Sequence, residues 1–425
     1  MTTNEGKTYS VADALACVLK YATLRGVEEV ALDQSLWRTL AEDVRTNRDQ
    51  PPYDVSAMDG FAVRSADLQV GGAALTVVED IKAGDRPQST LAAGQCARIM
   101  TGAPLPSGAD AVIRVEDTRP LTDTRVEITV PVKPGNDIRQ QGDNMHCGDV
   151  VLTAGTAITP GVMGLLATVK RARVSVHARP RVAILSSGDE LEALEAPLNP
   201  HGIPESNSHA LTGQVQALGI SPVRLGIAPD DPEVLARYVR QGLDYDVLLV
   251  SGGSSVGMHD HVRPTLEALG VAMHFWRVEM KPGFPLAFGT HGSTLVFGLP
   301  GNPVSSMVSF EQFVSPTLRR MLGHRSLFRR TLTAHLAHPI NHRPGRVEFV
   351  RVTLAAGTDG RWNAASTGSQ SSGDLTSMAR LDGLAIVPAD SGNLAAGDAV
   401  QIQLLDGGMF QETSGFLADG TPDTP

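Results

Sequence analysis

Between residues 178 and 322 the sequence repeats one rhythm, an apolar run, a short polar loop and an amphipathic stretch. The runs RVAILSSGDEL, VRLGIAPDD, YDVLLVSGGSS and STLVFGLPGN are followed by helical patterns in SNSHALTGQVQALG, PEVLARYVRQG, HVRPTLEALG and PVSSMVSFEQFV. Such alternation predicts right-handed βαβ crossovers and a mostly parallel sheet. An open sheet of that kind binds ligands outside the carboxyl ends of its strands. The residues that follow the strands therefore matter most: Ser187-Gly188-Asp189-Glu190, Asp230-Asp231, the loop from Ser251 to Asp260, and Pro300-Gly301-Asn302-Pro303.

The flanking segments read differently. From Ser10, the positions Val11, Ala14, Leu15, Val18 and Leu19 recur at helical spacing, with Ser10 and Asp13 placed as a capping box. The paired prolines of RTNRDQPPYDVSAMDGFAV, residues 45 to 63, end any helix and lead into a second module. Residues 73 to 155 alternate short Val/Ile/Leu-rich runs with Gly, Pro and Asp turns, the pattern of a small β-rich unit. Thr159-Pro160 then opens the helical run GVMGLLATVK, expected to pack back on the first helix and so to make the first module discontinuous. From about residue 327 β-runs return, and the polar tail QETSGFLADGTPDTP lacks the apolar content to fold. The expected division is 7–45 with 146–177, then 46–145, 178–326, 327–408 and a disordered tail, 409–425.

At roughly 150 residues per domain, 425 residues allow two or three domains with ample cores. A formal net charge of −10 gives no global attraction for nucleic acid or anionic lipid, so an anionic ligand needs a local site. Cys17, Cys96 and Cys147 are odd in number, far apart and without a CxxC pair, which predicts reduced core thiols rather than a disulfide framework or a zinc site. The N-terminus has no signal-peptide pattern, and no apolar run approaches the roughly 20 residues that cross a bilayer. A cytoplasmic protein without membrane or nucleic-acid partners is the expectation.

Gly252 and Gly253 allow close backbone approach, successive amides there can cradle an oxyanion, and Ser251, Ser254 and Ser255 add hydroxyls. Glu190, Asp230 and Asp260 converging beside that cradle would repel one another unless a cation such as Mg²⁺ bridged them to phosphate. Lys281, in VEMKPGFPLAF, offers a fixed positive charge. The implied site takes a phosphorylated molecule and a divalent metal. Each element alone has a plainer reading: a turn, a helix cap at Asp230-Asp231-Pro232, a bend at Lys281-Pro282-Gly283. Their shared placement on one sheet edge favours function. The i, i+2 pair His259 and His261 fits no zinc pattern, and Met100, Met145 and Met280 read as packing residues.

The chain resembles the molybdopterin molybdenumtransferases, the MoeA and gephyrin E-domain group of molybdenum-cofactor biosynthesis, over nearly its whole length. The resemblance rests on PPYDVSAMDGFAV, RIMTGAPLPSGADAVIRVED, GDVVLTAGTAITPG, LSSGDEL, SGGSSVGMHD, FWRVEMKPGFP and GLPGNPVSS, in that order. It implies a discontinuous first domain, an inserted β-rich domain, a mostly parallel three-layer α/β domain like the molybdopterin adenylyltransferases, and a C-terminal β barrel. It further implies an elongated homodimer whose cleft joins the α/β domain of one subunit to the inserted domain of the other. The implied reaction takes molybdopterin-AMP and molybdate, with Mg²⁺ or a similar divalent ion, to molybdenum cofactor and AMP. A transient contact with a molybdopterin adenylyltransferase is implied as well.

Carried over by the resemblance, Asp59, Thr101, Asp143, Glu190, Asp230, Asp260 and Lys281 take active-site roles, with Asp59 and Thr101 from the opposing inserted domain. Glu190, Asp230 and Asp260 surround metal and nucleotide. Ser251, Gly252, Gly253, Ser255, Arg277, Pro300, Gly301, Asn302 and Pro303 line the substrate. Molybdate falls to Lys281, Pro285 through its backbone neighbourhood, Arg351, and Ser371 or Ser372. Three positions depart from the family pattern: Phe284 replaces a lysine of the common KPGKP, Arg277 a frequent lysine, and Ser254 a small apolar residue. The alternatives are a diverged paralogue that binds pterin or nucleotide without efficient metal insertion, a gephyrin-like scaffold and, more remotely, a pyrophosphatase of the wider α/β family.

Overall fold

Ser10 accepts a hydrogen bond from the Asp13 N–H at 3.0 Å and donates its hydroxyl to the Asp13 carboxylate at 2.8 Å, capping helix α1, Val11–Tyr21. These bonds satisfy groups that a helix start leaves unpaired. The buried face of α1 is Ala14 and Val18, as the helical spacing requires. The computed structural model describes residues 8–197, 199–252, 261–357 and 359–405. It divides into two compact units, one of Met1–Ala41, Gly155–Thr159 and Val174–Pro425, the other of Glu42–Ala154 and Pro160–Arg173.

The smaller unit is built on a mixed sheet of β1 (Gly60–Val63), β2 (Ala73–Ile81), β3 (Gln95–Ile99), β4 (Ala111–Arg114), β5 (Thr118–Thr122) and β6 (Arg125–Ile128), in the order β4-β1-β3-β2-β6-β5. Phe61, Val63, Cys96, Ala111 and Ile113 enter one core, and Ala62, Ala97 and Val112 enter another. Successive side chains point to opposite faces, so covering both faces demands near-continuous apolar runs. Burial pushes the Cys96 thiol up to about 12, as expected of a core cysteine. Cys17 is half-buried, but Cys147 is exposed in a turn where its N–H binds the Asp49 carboxylate at 2.8 Å, which corrects the reading of all three as core thiols. Helix α2, Pro160–Thr168, belongs to this unit, whereas α1 belongs to the other.

Two six-stranded sheets dominate the larger unit. The first consists of β7 (Val182–Ser187), β8 (Val223–Ala228), β9 (Val247–Ser251), β10 (Ala272–Phe275), β12 (Ala287–His291) and β13 (Thr294–Leu299); the two-residue β11 (Met280–Lys281) lies outside it. Its order is β8-β7-β9-β13-β12-β10, with the first four strands parallel. Val182, Ile184, Val247 and Leu249 face α1 together with α3 (Asn207–Gln216), α6 (Pro303–Ser309) and α7 (Ser315–Met321). Ala183, Leu185, Leu248 and Val250 face α4 (Pro232–Gly242) and α5 (Val262–Ala268) on the other side. Three layers follow directly from that alternation.

The second sheet is the C-terminal barrel. Strands β14 (Thr331–Leu336), β15 (Val347–Ala356), β16 (Trp362–Ser366), β17 (Gly383–Val387) and β18 (Ala399–Leu404) pair in a closed ring, β14-β16-β15-β17-β18 and back to β14. Val350, Val352, Ala364, Ala385, Val387, Val400 and Ile402 fill its interior. Strand β11 adds to β15 in parallel, setting Lys281 opposite Glu348. The expected tail, residues 409–425, lies outside the described residues. Among the described residues no helix is long and apolar enough to cross a membrane.

Candidate active site

The first sheet changes direction between β7 and β9. From β7 the chain passes through α3 to β8 on one side, then crosses to β9 on the other, which is the switch point at which open α/β sheets place their ligands. Here Gly252 has φ +101°, and a Cβ on it would stand 2.2 Å from the Ser187 carbonyl oxygen. Only glycine lets the strand end at β9 pass so close to β7. The Gly252 N–H donates to the Leu299 carbonyl at 3.3 Å, so this amide serves the sheet rather than a ligand. Gly253, Ser254, Ser255, His259 and Asp260 lie outside the described residues.

Asn207, at the start of α3, donates to the Ser251 hydroxyl and the Gly301 carbonyl, both at 2.7 Å. One amide thus fixes the ends of β9 and β13 against each other. Ser251 is buried, Pro300 is buried, and Pro303 is the first residue of α6, where its lack of N–H costs nothing. Beside α3, buried Glu205 accepts bonds from the Ser186 hydroxyl at 2.9 Å, the Ser208 N–H at 2.7 Å and the Ser208 hydroxyl at 2.5 Å. It borders a cavity of about 530 Å³ that Arg224 and His209 also line.

The two adjacent acids after β8 do different work. Asp231 caps α4, accepting from the Glu233 and Val234 N–H groups at 2.9 Å. Asp230 faces β7, with Ser187 Oγ at 3.5 Å and its own N–H on the Asp189 carboxylate at 3.0 Å. Exposed Glu190 follows β7 and lies over Gly188. Glu190 and Asp230 therefore leave neighbouring strand ends with hard oxygen donors, the type that holds Mg²⁺ together with substrate phosphates and water. The third expected member, Asp260, is among the undescribed residues, and the described residues contain no three-membered metal-binding group.

At the barrel mouth, Glu348 shares the inward parity of Val350 and Val352 on β15. Its carboxylate binds Lys281 Nζ at 2.8 Å and His342 Nδ1 at 3.0 Å. These three residues, with Arg343, Pro344, Gly345 and Arg346, line a cavity of about 470 Å³. The Arg346 guanidinium lies 3.9 Å from the centre of the Phe284 ring, and that of Arg277 lies 5.8 Å from it. Position 284, where the resemblance leads one to expect a lysine, therefore carries no charge of its own but has an arginine stacked on it.

Arg351 is fully buried, donating from Nε to Ser377 Oγ at 3.1 Å and from Nη2 to the Ser369 and Ser371 carbonyls at 3.2 and 3.0 Å. Burial lowers its pKa, against the opposing pull of Asp374 and Glu348. It braces the loop of Ser371 and Ser372, and the Ser372 carbonyl accepts from the Val304 N–H at 3.1 Å. The amide beside Pro285, that of Leu286, is engaged with the Phe284 carbonyl at 3.0 Å. Of the expected molybdate residues, Lys281 lines the barrel-mouth cavity, while Arg351 and Ser371 make the loop network.

In the smaller unit, Asp59 and Thr101 are brought together. Asp59 Oδ1 accepts from both the Thr101 N–H and the Thr101 hydroxyl at 2.7 Å. First the backbone N–H and then the hydroxyl hold the carboxyl below the usual carboxylate range. Both residues line a cavity of about 540 Å³ with Met58, Arg114, Glu116 and Asp117. Gly60 is obligatory beside them, because a Cβ there would strike the Ile113 carbonyl oxygen. Asp143 instead closes a turn, accepting from the Gln140 N–H at 2.7 Å, and is not among the residues lining that cavity.

Asn207, Glu205, His342, Arg346 and Glu348 escape a reading of the residues after strands. A signal existed for the last: Glu348 and Arg351 interrupt the apolar run VEFVRV, and a charge inside such a run needs a buried partner. Asn207 carries no comparable mark, since its role depends on two distant strand ends.

The family described as the MoeA N-terminal region (domain I and II) matches residues 9–169, that of a probable molybdopterin binding domain residues 183–320, and that of the MoeA C-terminal region (domain IV) residues 333–405. The molybdopterin molybdenumtransferase of a Nostoc species is 36% identical over 397 residues, covering 91% of each chain. That of Bacillus subtilis is 33% identical over 403 residues, covering 93% of this chain and 94% of its own. A crystal structure of the molybdopterin biosynthesis MoeA protein of Pyrococcus horikoshii is 29% identical, covers 94% of this chain and 100% of its own, and superposes with a TM-score of 0.81.

Proposed function

Because the chain belongs to the molybdopterin molybdenumtransferase family, we propose that it inserts molybdenum from molybdate into adenylylated molybdopterin and releases AMP. The observation that carries the reading is the topological switch between β7 and β9, with Glu190 and Asp230 following neighbouring strand ends and Asn207 latching the ends of β9 and β13. Its setting suits a phosphoanhydride, whose cleavage depends mainly on positioning and on neutralising phosphoryl oxygens. Asn207 keeps the ends of β9 and β13 in one geometry. Lys281 and Arg346 supply charge to molybdate, a tetrahedral dianion, at the barrel mouth. Arg351, Ser371 and Ser372 shape the adjoining loop.

The carboxylates of Glu190 and Asp230, completed by Asp260, are proposed to hold Mg²⁺ or a similar divalent ion, which when bound neutralises the pyrophosphate. Gly253 and Ser255 contribute to the phosphate wall, and Arg277, Gly301 and Asn302 to the substrate boundary. We also propose a cytoplasmic homodimer, with the domain limits expected from the sequence, in which Asp59 and Thr101 of the partner subunit complete each cleft. Substrate arrives from a molybdopterin adenylyltransferase.

Turnover of molybdopterin-AMP by the purified chain, with and without Mg²⁺ and at rising molybdate, tests the reading. AMP and molybdenum cofactor should appear together at low molybdate. AMP without cofactor would favour the diverged paralogue suggested by Phe284. Mixing inactive Asp59→Ala with inactive Glu190→Ala tests the dimer, since random exchange of subunits restores about a quarter of the activity if each cleft is composite. No recovery after verified exchange would exclude it.

A further inference from the structure

We propose that Glu348 is a positioning residue for molybdate, holding the Lys281 ammonium at the barrel mouth so that its remaining N–H donors meet the oxyanion. The inference rests on the reading of Lys281 as an oxyanion ligand and adds the residues that fix its charge in place.

A lysine is a point charge on a flexible stem, and an exposed one ordinarily gains little from an ion pair. Lys281 is 57% exposed, yet its partner is not: the Glu348 side chain is 9% exposed and sits on the barrel strand β15. The parallel pairing of β11 with β15 puts the two residues in register. Glu348 Oε1 takes the ammonium at 2.8 Å, and Oε2 is held from behind by His342 Nδ1 at 3.0 Å. Since a carboxylate accepts and does not donate, Nδ1 carries the imidazole proton. His342 is anchored in turn, its backbone N–H donating to Asn393 Oδ1 at 3.0 Å.

The opposite ring nitrogen, His342 Nε2, is buried without a hydrogen-bond partner. Leaving a buried polar atom unpaired is costly. The histidine keeps that cost while its other nitrogen steadies Glu348, which is the pattern of a side chain retained for its partner. An ammonium has three donors, and one is spent on Oε1. The others remain for an anion entering the cavity between Arg343 and Arg346.

The test compares the full-length wild type, Lys281→Ala, Glu348→Gln and the double variant, following AMP release and cofactor formation at rising molybdate. Glu348→Gln should raise the molybdate KM roughly tenfold with little change in kcat, because a misplaced charge weakens oxyanion capture. The double variant should be no worse than Lys281→Ala, since residues that act through one contact are not additive. Glu348→Asp keeps the charge but withdraws the oxygen by one methylene, and should give a smaller rise; it also serves if the glutamine variant folds poorly. Additive effects, or a KM that falls when the competing carboxylate is removed, would overturn the proposal. If Lys281→Ala leaves the molybdate KM unchanged, the parent reading of Lys281 fails and the positioning role with it. A rise in Lys281→Ala without one in Glu348→Gln defeats the positioning role alone.

Discussion

Gly252 passes so near Ser187 that a single methyl group on its Cα would lie 2.2 Å from the Ser187 carbonyl oxygen. The obstacle is backbone in the centre of a parallel sheet, which cannot swing aside as a side chain could. Combined with φ +101°, this makes Gly252→Ala destabilising by at least about 1 kcal/mol. Denaturant midpoints and turnover should fall together. A variant of wild-type stability would mean that the strand ends separate freely.

Arg346 stands over the Phe284 ring, 3.9 Å from its centre. Arg346→Ala should raise the molybdate KM by about five- to tenfold, the effect of losing one partly desolvated cation contact. In a Phe284→Lys background the same change should matter much less, because the lysine restores the charge. Equal losses in both backgrounds would show that Arg346 acts independently of position 284.

The Asp59 carboxyl stays ionised to unusually low pH because Thr101 donates to it twice. Thr101→Val removes the hydroxyl and keeps the backbone N–H. The Asp59 pKa should rise toward its ordinary value, and the acid limb of the pH–rate profile should move to higher pH with it. An acid limb that stays in place would separate Asp59 ionisation from turnover.

Burial first, and then Arg319 and His177, push the His324 imidazole down from 6.5 to about 4. The unfolded chain takes up this proton at the higher pH and the folded chain only at the lower, so stability is full above 6.5 and declines as pH falls toward 4. The slope is at most about 1.4 kcal/mol per pH unit, and the group's partial exposure reduces it. Unfolding measured across that interval should flatten in His324→Gln. The same slope in both proteins would assign the acid sensitivity to other groups.

The layered architecture was legible because it follows from periodicity. Val182 to Leu185 and Val247 to Val250 bury alternate residues against opposite helix layers, which an uninterrupted apolar run announces. Which residues follow the parallel strands was legible for a related reason, since the strand ends are set by the same apolar runs. What remained hidden depends on pairing across long separations. Nothing near Asn207 indicates that its amide joins Ser251 to Gly301. Pro232 at the helix start marks Asp231 as the cap, but nothing local indicates that Asp230 faces Ser187. Arg351 was readable as a charge in an apolar strand, but its use as a brace for the 369–371 carbonyls was not.

The two-residue strand β11 gives the chain a property that neither sheet has alone. Lys281 is encoded between β10 and β12 of the first sheet, yet its seat is on the barrel strand β15. The cation and its support therefore come from segments that a recombination event could part. A related barrel grafted after α7 would fold as a closed ring and still leave Lys281 without a counterpart, unless an acid occupied the place of Glu348. Inheritance of this site is thus tied to the junction as a whole, and exchange of C-terminal modules between relatives should succeed only where both halves of that rivet travel together.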